Sequence, residues 1–339
     1  MAEPSFSALG LQPQHGGTDA GPEPLWDFST NANPLGPCPA VLEAVHAADL
    51  TRYPDPHYTR LRAALAAYHR TDPACIVIGA GASELILRLV RATPGPMLVL
   101  GPSFSEYTRC ARVEAREVIE VTAPSDFLGQ QRRQQGDGLG FVCWPNNPTG
   151  ESWPAEFLAN AASGGRVVVD FAYAAMGPED ALAAARAATT STIQLYAPNK
   201  SFGLTGLRAA YAVTPRPWPE LSWLAASWPV GPAGVAFLEA VTSEAAQSWL
   251  AECRPVLAGW RRSLAAGLAE MGLEVRESPA TFLMARVGDA SPVAAALRRH
   301  GLRVRDATSF GLPAWIRLGA APPEWQAALL AALAKELRR

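Results

Sequence analysis

The chain has 339 residues, 49 % of them hydrophobic and 18 % charged, which places it with ordinary globular proteins and predicts one large domain with a smaller companion. Its 29 basic and 31 acidic residues sum to a net charge of −2, so nothing in the overall charge points to nucleic acid or an anionic membrane, and any anionic ligand must be met by local arginines. Five scattered cysteines with no C-x-x-C pair argue against a disulfide framework or a zinc cluster and for a reducing, cytoplasmic setting.

The opening, MAEPSFSALGLQPQHGG, lacks the basic start and apolar run of a signal peptide, and no stretch of about 18 apolar residues is present to span a membrane. Residues 1–40, rich in Pro, Gly, Asn and Asp, read as an irregular arm laid over something else. From residue 41 helices alternate with short apolar runs. Periodicity predicts helices over 58–70 and 83–91, and strands at 76–79, 97–100, 117–121, 139–143, 166–170, 192–196 and 209–213. Continuous apolar strands separated by helices indicate an α/β domain with a largely parallel sheet covered on both faces. The proline-rich stretch 214–234, with Trp218, Trp223 and Trp228, breaks this alternation. The expected layout is an arm at 1–40, a large domain at 41–225 and a smaller α+β domain at 226–339 ending in a helix at 323–338.

Several connections carry residues with chemistry. Asp170 closes the run RVVVD, and a carboxylate at the C-terminal end of a buried parallel strand points into the crevice where such sheets bind ligands. Standing alone it would more readily cap the next helix. Lys200 follows a strand in YAPNKSFGLTGLRAAY, with Arg208 eight residues on. Gly203 and Gly206 let the backbone turn so that this guanidinium returns to pair with a phosphate; a lone lysine after a strand is otherwise a solvated one. In GAGASE (79–84) the amides of Gly81, Ala82 and Ser83 open a helix and can cradle the same phosphate, although many such turns bind nothing. WPNNPTG (144–150) makes a rigid turn that presents the amide of Asn147.

Taken in order, RYPDP (52–56), GAGASE (79–84), PSFSEY (102–107), PNNPTG (145–150), VVVDFAY (167–173), PNKSFGLTGLR (198–208) and WIRLG (315–319) resemble the fold-type I pyridoxal 5′-phosphate (PLP) enzymes of the aminotransferase class I/II superfamily over nearly the whole chain. The resemblance implies a large domain with a mostly parallel seven-stranded sheet covered by helices, and a smaller α+β C-terminal domain. A cofactor that works as an electron sink needs its ring nitrogen protonated, its phosphate neutralised, its ring clamped and a lysine for imine exchange. Carried over, the resemblance implies Lys200 as the Schiff-base lysine, Asp170 on the pyridine nitrogen, and Asn147 and Tyr173 on the phenolic oxygen. Tyr107 would stack on the ring, with Phe104 as second choice, and Gly81, Ala82, Ser83 and Arg208 would hold the phosphate. Tyr53 would reach that phosphate from the neighbouring subunit of a homodimer, and Arg317 would bind a substrate carboxylate. Similar enzymes often have Ser or Thr three residues before the lysine; Ala197 stands there in this chain, with Asn199 as the candidate compensation.

Within the superfamily the short length and DFSTNANPLGP (27–37) are similar to the branch of histidinol-phosphate aminotransferases and cobalamin-pathway threonine-phosphate decarboxylases. His15-Gly16-Gly17 and VRDATSFGLPAWIRLG (304–319) resemble the decarboxylases. This implies decarboxylation of O-phospho-L-threonine to (R)-1-amino-2-propanol O-2-phosphate, with Arg305 on the substrate phosphate, Arg317 on its carboxylate, and Asn33 and His15 closing the site from the arm. Two alternatives stay open: an aminotransferase acting on histidinol phosphate or a related amino acid with 2-oxoglutarate, and a non-catalytic PLP-fold binding protein. The same residues support either reaction, because the bond to Cα that stands perpendicular to the cofactor ring decides the product. In the bland readings Arg305 is a solvated arginine beside Arg303, and His15 is a surface histidine.

Overall fold

The computed structural model describes residues 16–134 and 137–337. The arm contributes a short strand, β1 (Trp26–Asp27), ahead of the first helix, Pro39–His46. Seven strands then build the large sheet: β2 (Ile76–Gly79), β3 (Met97–Leu100), β4 (Val118–Val121), β5 (Leu139–Cys143), β6 (Arg166–Asp170), β7 (Ile193–Tyr196) and β8 (Ala210–Val213). Their spatial order is β2-β8-β7-β6-β5-β3-β4. All neighbours are parallel except at β8, which runs antiparallel to β2 and β7. Every residue of β3, β5 and β7 is buried, as strands covered on both faces must be, and this is why they read as unbroken apolar runs.

Helix ends fall where the backbone turns. The helix expected over 58–70 spans Thr59–His69 and is closed at both ends by left-handed residues, Tyr58 (φ 50°) and Arg70 (φ 56°). The helix expected over 83–91 is Ala82–Ala92. It starts after Gly81, whose φ of 101° suits glycine.

Beyond residue 270 come β9 (Val275–Arg276), β10 (Phe282–Arg286), β11 (Leu302–Arg303), β12 (Arg305–Asp306) and β13 (Trp315–Gly319). Four of them form an antiparallel sheet in the order β12-β13-β10-β9. The remaining strand, β11, pairs in parallel with β1 of the arm. The core of the large sheet takes in Phe237, Leu250 and Leu257, whereas Leu264 and Leu268 pack into the core of the small sheet with Leu283 and Ile316. The chain therefore changes partner inside the long helix Glu244–Glu270. Residues 226–257 pack with the large sheet, well past the boundary expected at 225. The proline-rich stretch is a connection on the surface of the large unit, because prolines interrupt local structure without dividing a core.

The loops after β5, β6 and β7 leave from the C-terminal ends of adjacent parallel strands, so the turn 144–150, the segment after Asp170 and the lysine loop 197–208 converge on one crevice.

Candidate active site

In that crevice lies a cavity of about 390 Å³. Asp170 sits at its base, 2 % exposed. Its Oδ1 accepts the Ala172 N–H at 2.9 Å and its Oδ2 accepts the Tyr107 hydroxyl at 2.7 Å. Burial pushes its carboxyl above the ordinary value, against the opposing pull of Tyr107, the Ala172 N–H and Lys200. Lys200 lines the cavity, its Nζ 5.0 Å from the centroid of the Tyr173 ring, and Tyr173 in turn packs edge-on against Phe282.

The turn 144–150 is held from within. Asn146 Nδ2 donates to Pro102 O and Thr149 Oγ1, and the Gly150 N–H donates to Asn146 O. Gly150 has φ 76°, and a Cβ there would come within 2.2 Å of Ser278. Asn147 is thereby fixed in the cavity wall, where its Oδ1 accepts from Arg317 Nη1.

At the opposite end the Arg208 guanidinium closes on Gly81, where a Cβ would meet Arg208 Nη2 at 2.6 Å. Ala82 and Ser83 open the helix beside it and also line the cavity, so backbone amides, a helix N-terminus and a cation share one corner suited to a phosphate. Ala197 is in this wall with no side-chain donor. Asn199, the candidate compensation, also lines the cavity, and its Nδ2 donates to Thr205 O and Leu207 O within its own loop. Thr205, which the motif reading passed over, lines the same cavity.

At the other end Arg305 and Arg317 face the cavity together. Arg305 Nη2 donates to Ser309 Oγ at 2.7 Å, with its guanidinium 4.9 Å from the Phe310 ring centroid. Arg317 is 4 % exposed and Nη2 donates to Ser29 O, yet Nε has no partner. Burial holds this guanidinium down to about 10.

Two residues stand elsewhere than expected. Tyr107 is not in the cavity wall: its ring stacks on Phe141 beneath Asp170, and the second choice, Phe104, lines the cavity instead. Asn33 also lies outside it, its Nδ2 donating to Ser201 O and its Oδ1 accepting from the Leu35 N–H. Its neighbour Asn31 lines the cavity, buried, with both amide atoms unpartnered. Tyr53 is 78 % exposed, stacked on Trp228 at 4.4 Å, and does not reach the cavity of its own chain. His15 lies outside the described residues. One strong signal was available in the composition: Lys200 and Lys335 are the chain's two lysines.

An anion-binding corner, a buried carboxylate and a lysine between them fit PLP, and the fold with this cavity defines a fold-type I PLP-dependent enzyme. The chain matches the family described as aminotransferase class I and II over residues 23–333. It belongs to that family, and its cofactor is PLP. The histidinol-phosphate aminotransferase of Ruegeria pomeroyi is 33 % identical over 314 residues, 86 % of this chain and 85 % of the relative. That of Dinoroseobacter shibae is 32 % identical over 328 residues, 91 % and 90 % of the two chains. The histidinol-phosphate aminotransferase of Sinorhizobium meliloti, solved in complex with PLP, superimposes with a TM-score of 0.85 at 25 % identity, over 99 % of this chain and 98 % of that one. The L-threonine-O-3-phosphate decarboxylase of Porphyromonas gingivalis superimposes with a TM-score of 0.78 over 92 % and 99 % of the chains, but at 21 % identity, which shows the fold alone.

These relatives overturn the expected decarboxylation of O-phospho-L-threonine. The features that suggested it have other physical reasons. A Cβ at Gly16 would lie 2.3 Å from Ser29 O, and Gly17 has φ 99°, so both glycines of His15-Gly16-Gly17 serve the path of the arm. Arg305 and Arg317 offer charge to any dianionic substrate.

Proposed function

We propose that this protein is a PLP-dependent aminotransferase that takes the amino group from histidinol phosphate, or a related anionic amine, and passes it to 2-oxoglutarate. The observation that carries the reading is the 30–33 % identity to histidinol-phosphate aminotransferases along most of the chain. The paired arginines at the substrate end agree with it, since each of these two substrates brings a phosphate or carboxylate group. PLP, when bound, supplies an electron sink for bonds broken at the amine-bearing carbon.

This chain's residues divide the remaining work. Arg208, Ser83, Thr205 and the amides of Gly81 and Ala82 hold the cofactor phosphate, Asp170 keeps the ring-nitrogen proton, and Asn147 and Tyr173 hydrogen-bond the phenolic oxygen. Phe104 packs against the ring. Lys200 would hold the cofactor through its Nζ, and the same amine is placed to act as general base and acid at the substrate's amine-bearing carbon. Arg317 and Arg305 orient the anionic groups, and Asn31 supplies an amide from the arm. Tyr53 completes the phosphate site across a homodimer interface. The five buried, free cysteines accord with a reducing cytoplasm, and no helix among the described residues is long and apolar enough to cross a membrane.

The test is to mix PLP-loaded protein with histidinol phosphate and 2-oxoglutarate and to measure glutamate. Glutamate should form with both substrates present and not with either one omitted. Its absence with both present would overturn this substrate pair.

A further inference from the structure

Tyr107 lies outside the cavity and is 0 % exposed. Its ring stacks on Phe141 of β5, centroids 4.6 Å apart and planes 17° from parallel, and Phe104 meets it edge-on at 5.7 Å. Packing of this kind would be served as well by phenylalanine. A buried hydroxyl is expensive unless it finds a partner, and this one donates to Asp170 Oδ2 at 2.7 Å. Among the described residues it is the one side-chain donor to that carboxylate; the other oxygen takes the Ala172 N–H.

A carboxylate this deeply buried is pushed toward its neutral form, and a neutral acid cannot retain a pyridinium proton. The titratable groups around it are few. Lys200 faces it from the loop after β7, and Cys143 from the end of β5. Lys200 is engaged by the cofactor in the proposed site. The Cys143 thiol, raised by burial, donates to Pro145 O at 3.4 Å.

We propose that Tyr107 is a positioning residue acting through Asp170, its hydroxyl fixing the carboxylate that faces the cofactor's ring nitrogen. This role presupposes the PLP placement proposed above. It gives Tyr107 a part in the chemistry without contact to cofactor or substrate, and it accounts for a tyrosine where the packing asks for an aromatic ring.

The experiment loads wild-type protein and Tyr107→Phe with PLP carrying ¹⁵N in the ring and follows the ring-nitrogen signal against pH. In the variant the carboxyl, without the donor that stabilises its charged form, should draw the shared proton toward itself, so the ring-nitrogen signal should shift toward the unprotonated form at neutral pH, by about tenfold in the proton's distribution, with kcat reduced and the KM for amine little changed. Coincident titrations and equal kcat would overturn the proposal. Failure of the underlying placement looks different: wild-type protein would bind no PLP, or Asp170→Asn would leave its ring-nitrogen signal unmoved. Should the Phe variant not fold, Tyr107→His restores a ring N–H donor. Its titration should stay near the wild-type curve, and loss of the ring proton despite that donor would equally overturn the proposal.

Discussion

Lys200 and Lys335 divide the chain's amine chemistry between a cavity wall and the C-terminal helix. Borohydride reduction of the PLP-loaded protein should therefore leave a pyridoxyl label on Lys200 alone, and Lys200→Ala should lose both label and imine absorbance; peptide mass mapping and a spectrum check this. At the phosphate corner Ala197 offers no hydroxyl and Thr205 stands in the same wall. Thr205→Ala is expected to weaken PLP affinity about tenfold, the loss of one hydrogen bond to a charged group, with Thr205→Ser restoring most of it in a fluorescence titration. Asp170 carries the clearest pH signature. Burial raises its carboxyl above the ordinary 3.8, so the folded chain holds a proton that the unfolded chain has released. Its contribution to stability falls as pH rises through that interval. Asp170→Asn should then raise the melting temperature of cofactor-free protein at pH 7 while cutting PLP affinity, and melts with and without PLP separate the two effects.

Among the elements, the placement of the arm bears on the site and that of the second helix on stability. The arm is fastened by β1 to β11 and by the Asn33 N–H, which donates to Lys200 O at 2.8 Å. It carries Gly16, Gly17, Ser29 and Asn31 over the cavity. Gly16→Ala would drive a Cβ into Ser29 O and shift this roof, so KM should rise several-fold while the absorbance of bound PLP stays put. The helix Thr59–His69 is pinned to β8 by its last residue, His69, whose Nε2 lies 2.9 Å from the Tyr211 hydroxyl. Burial, aided by Arg186, holds this imidazole down to about 3 from the ordinary 6.5. The unfolded chain thus gains a proton that the folded one refuses. The stability this provides is full above pH 6.5 and is lost as pH falls toward 3. The melting temperature should decline over that window, and His69→Gln should flatten the decline.

At the scale of the molecule, the proposed function expects the phosphate corner of each chain to be completed by Tyr53 of a second copy. Arg208 and Thr205 are exposed, while Tyr53 stands 78 % exposed, stacked on Trp228. A symmetric dimer that brings each Tyr53 to the other chain's corner satisfies both. Sedimentation should show a dimer. Subunits of Tyr53→Ala and Lys200→Ala, each nearly inactive alone, should recover about a quarter of wild-type activity when mixed equally, because half the dimers are mixed and each has one intact site. No recovery after subunit exchange would place Tyr53 outside the partner's site.

The sequence by itself determined whatever depends on near neighbours. Strand runs, the strand-end Asp170, the lysine loop with Arg208 and the glycine opening a helix are readable because buried parallel strands, left-handed glycines and helix N-termini impose their demands within a few residues. Tertiary structure decided which member of a close pair faces the cavity. Phe104 and Asn31 line it, whereas Tyr107 and Asn33 turn into the surrounding protein, and no local period separates them. It also decided where the chain changes core, since Leu257 and Leu264 lie on one unbroken helix. The contacts responsible span long stretches of chain, 63 residues from Tyr107 to Asp170 and 170 from Asn147 to Arg317. A side chain's role there is set by what the fold brings beside it, and the residues next to it in sequence carry no record of that partner.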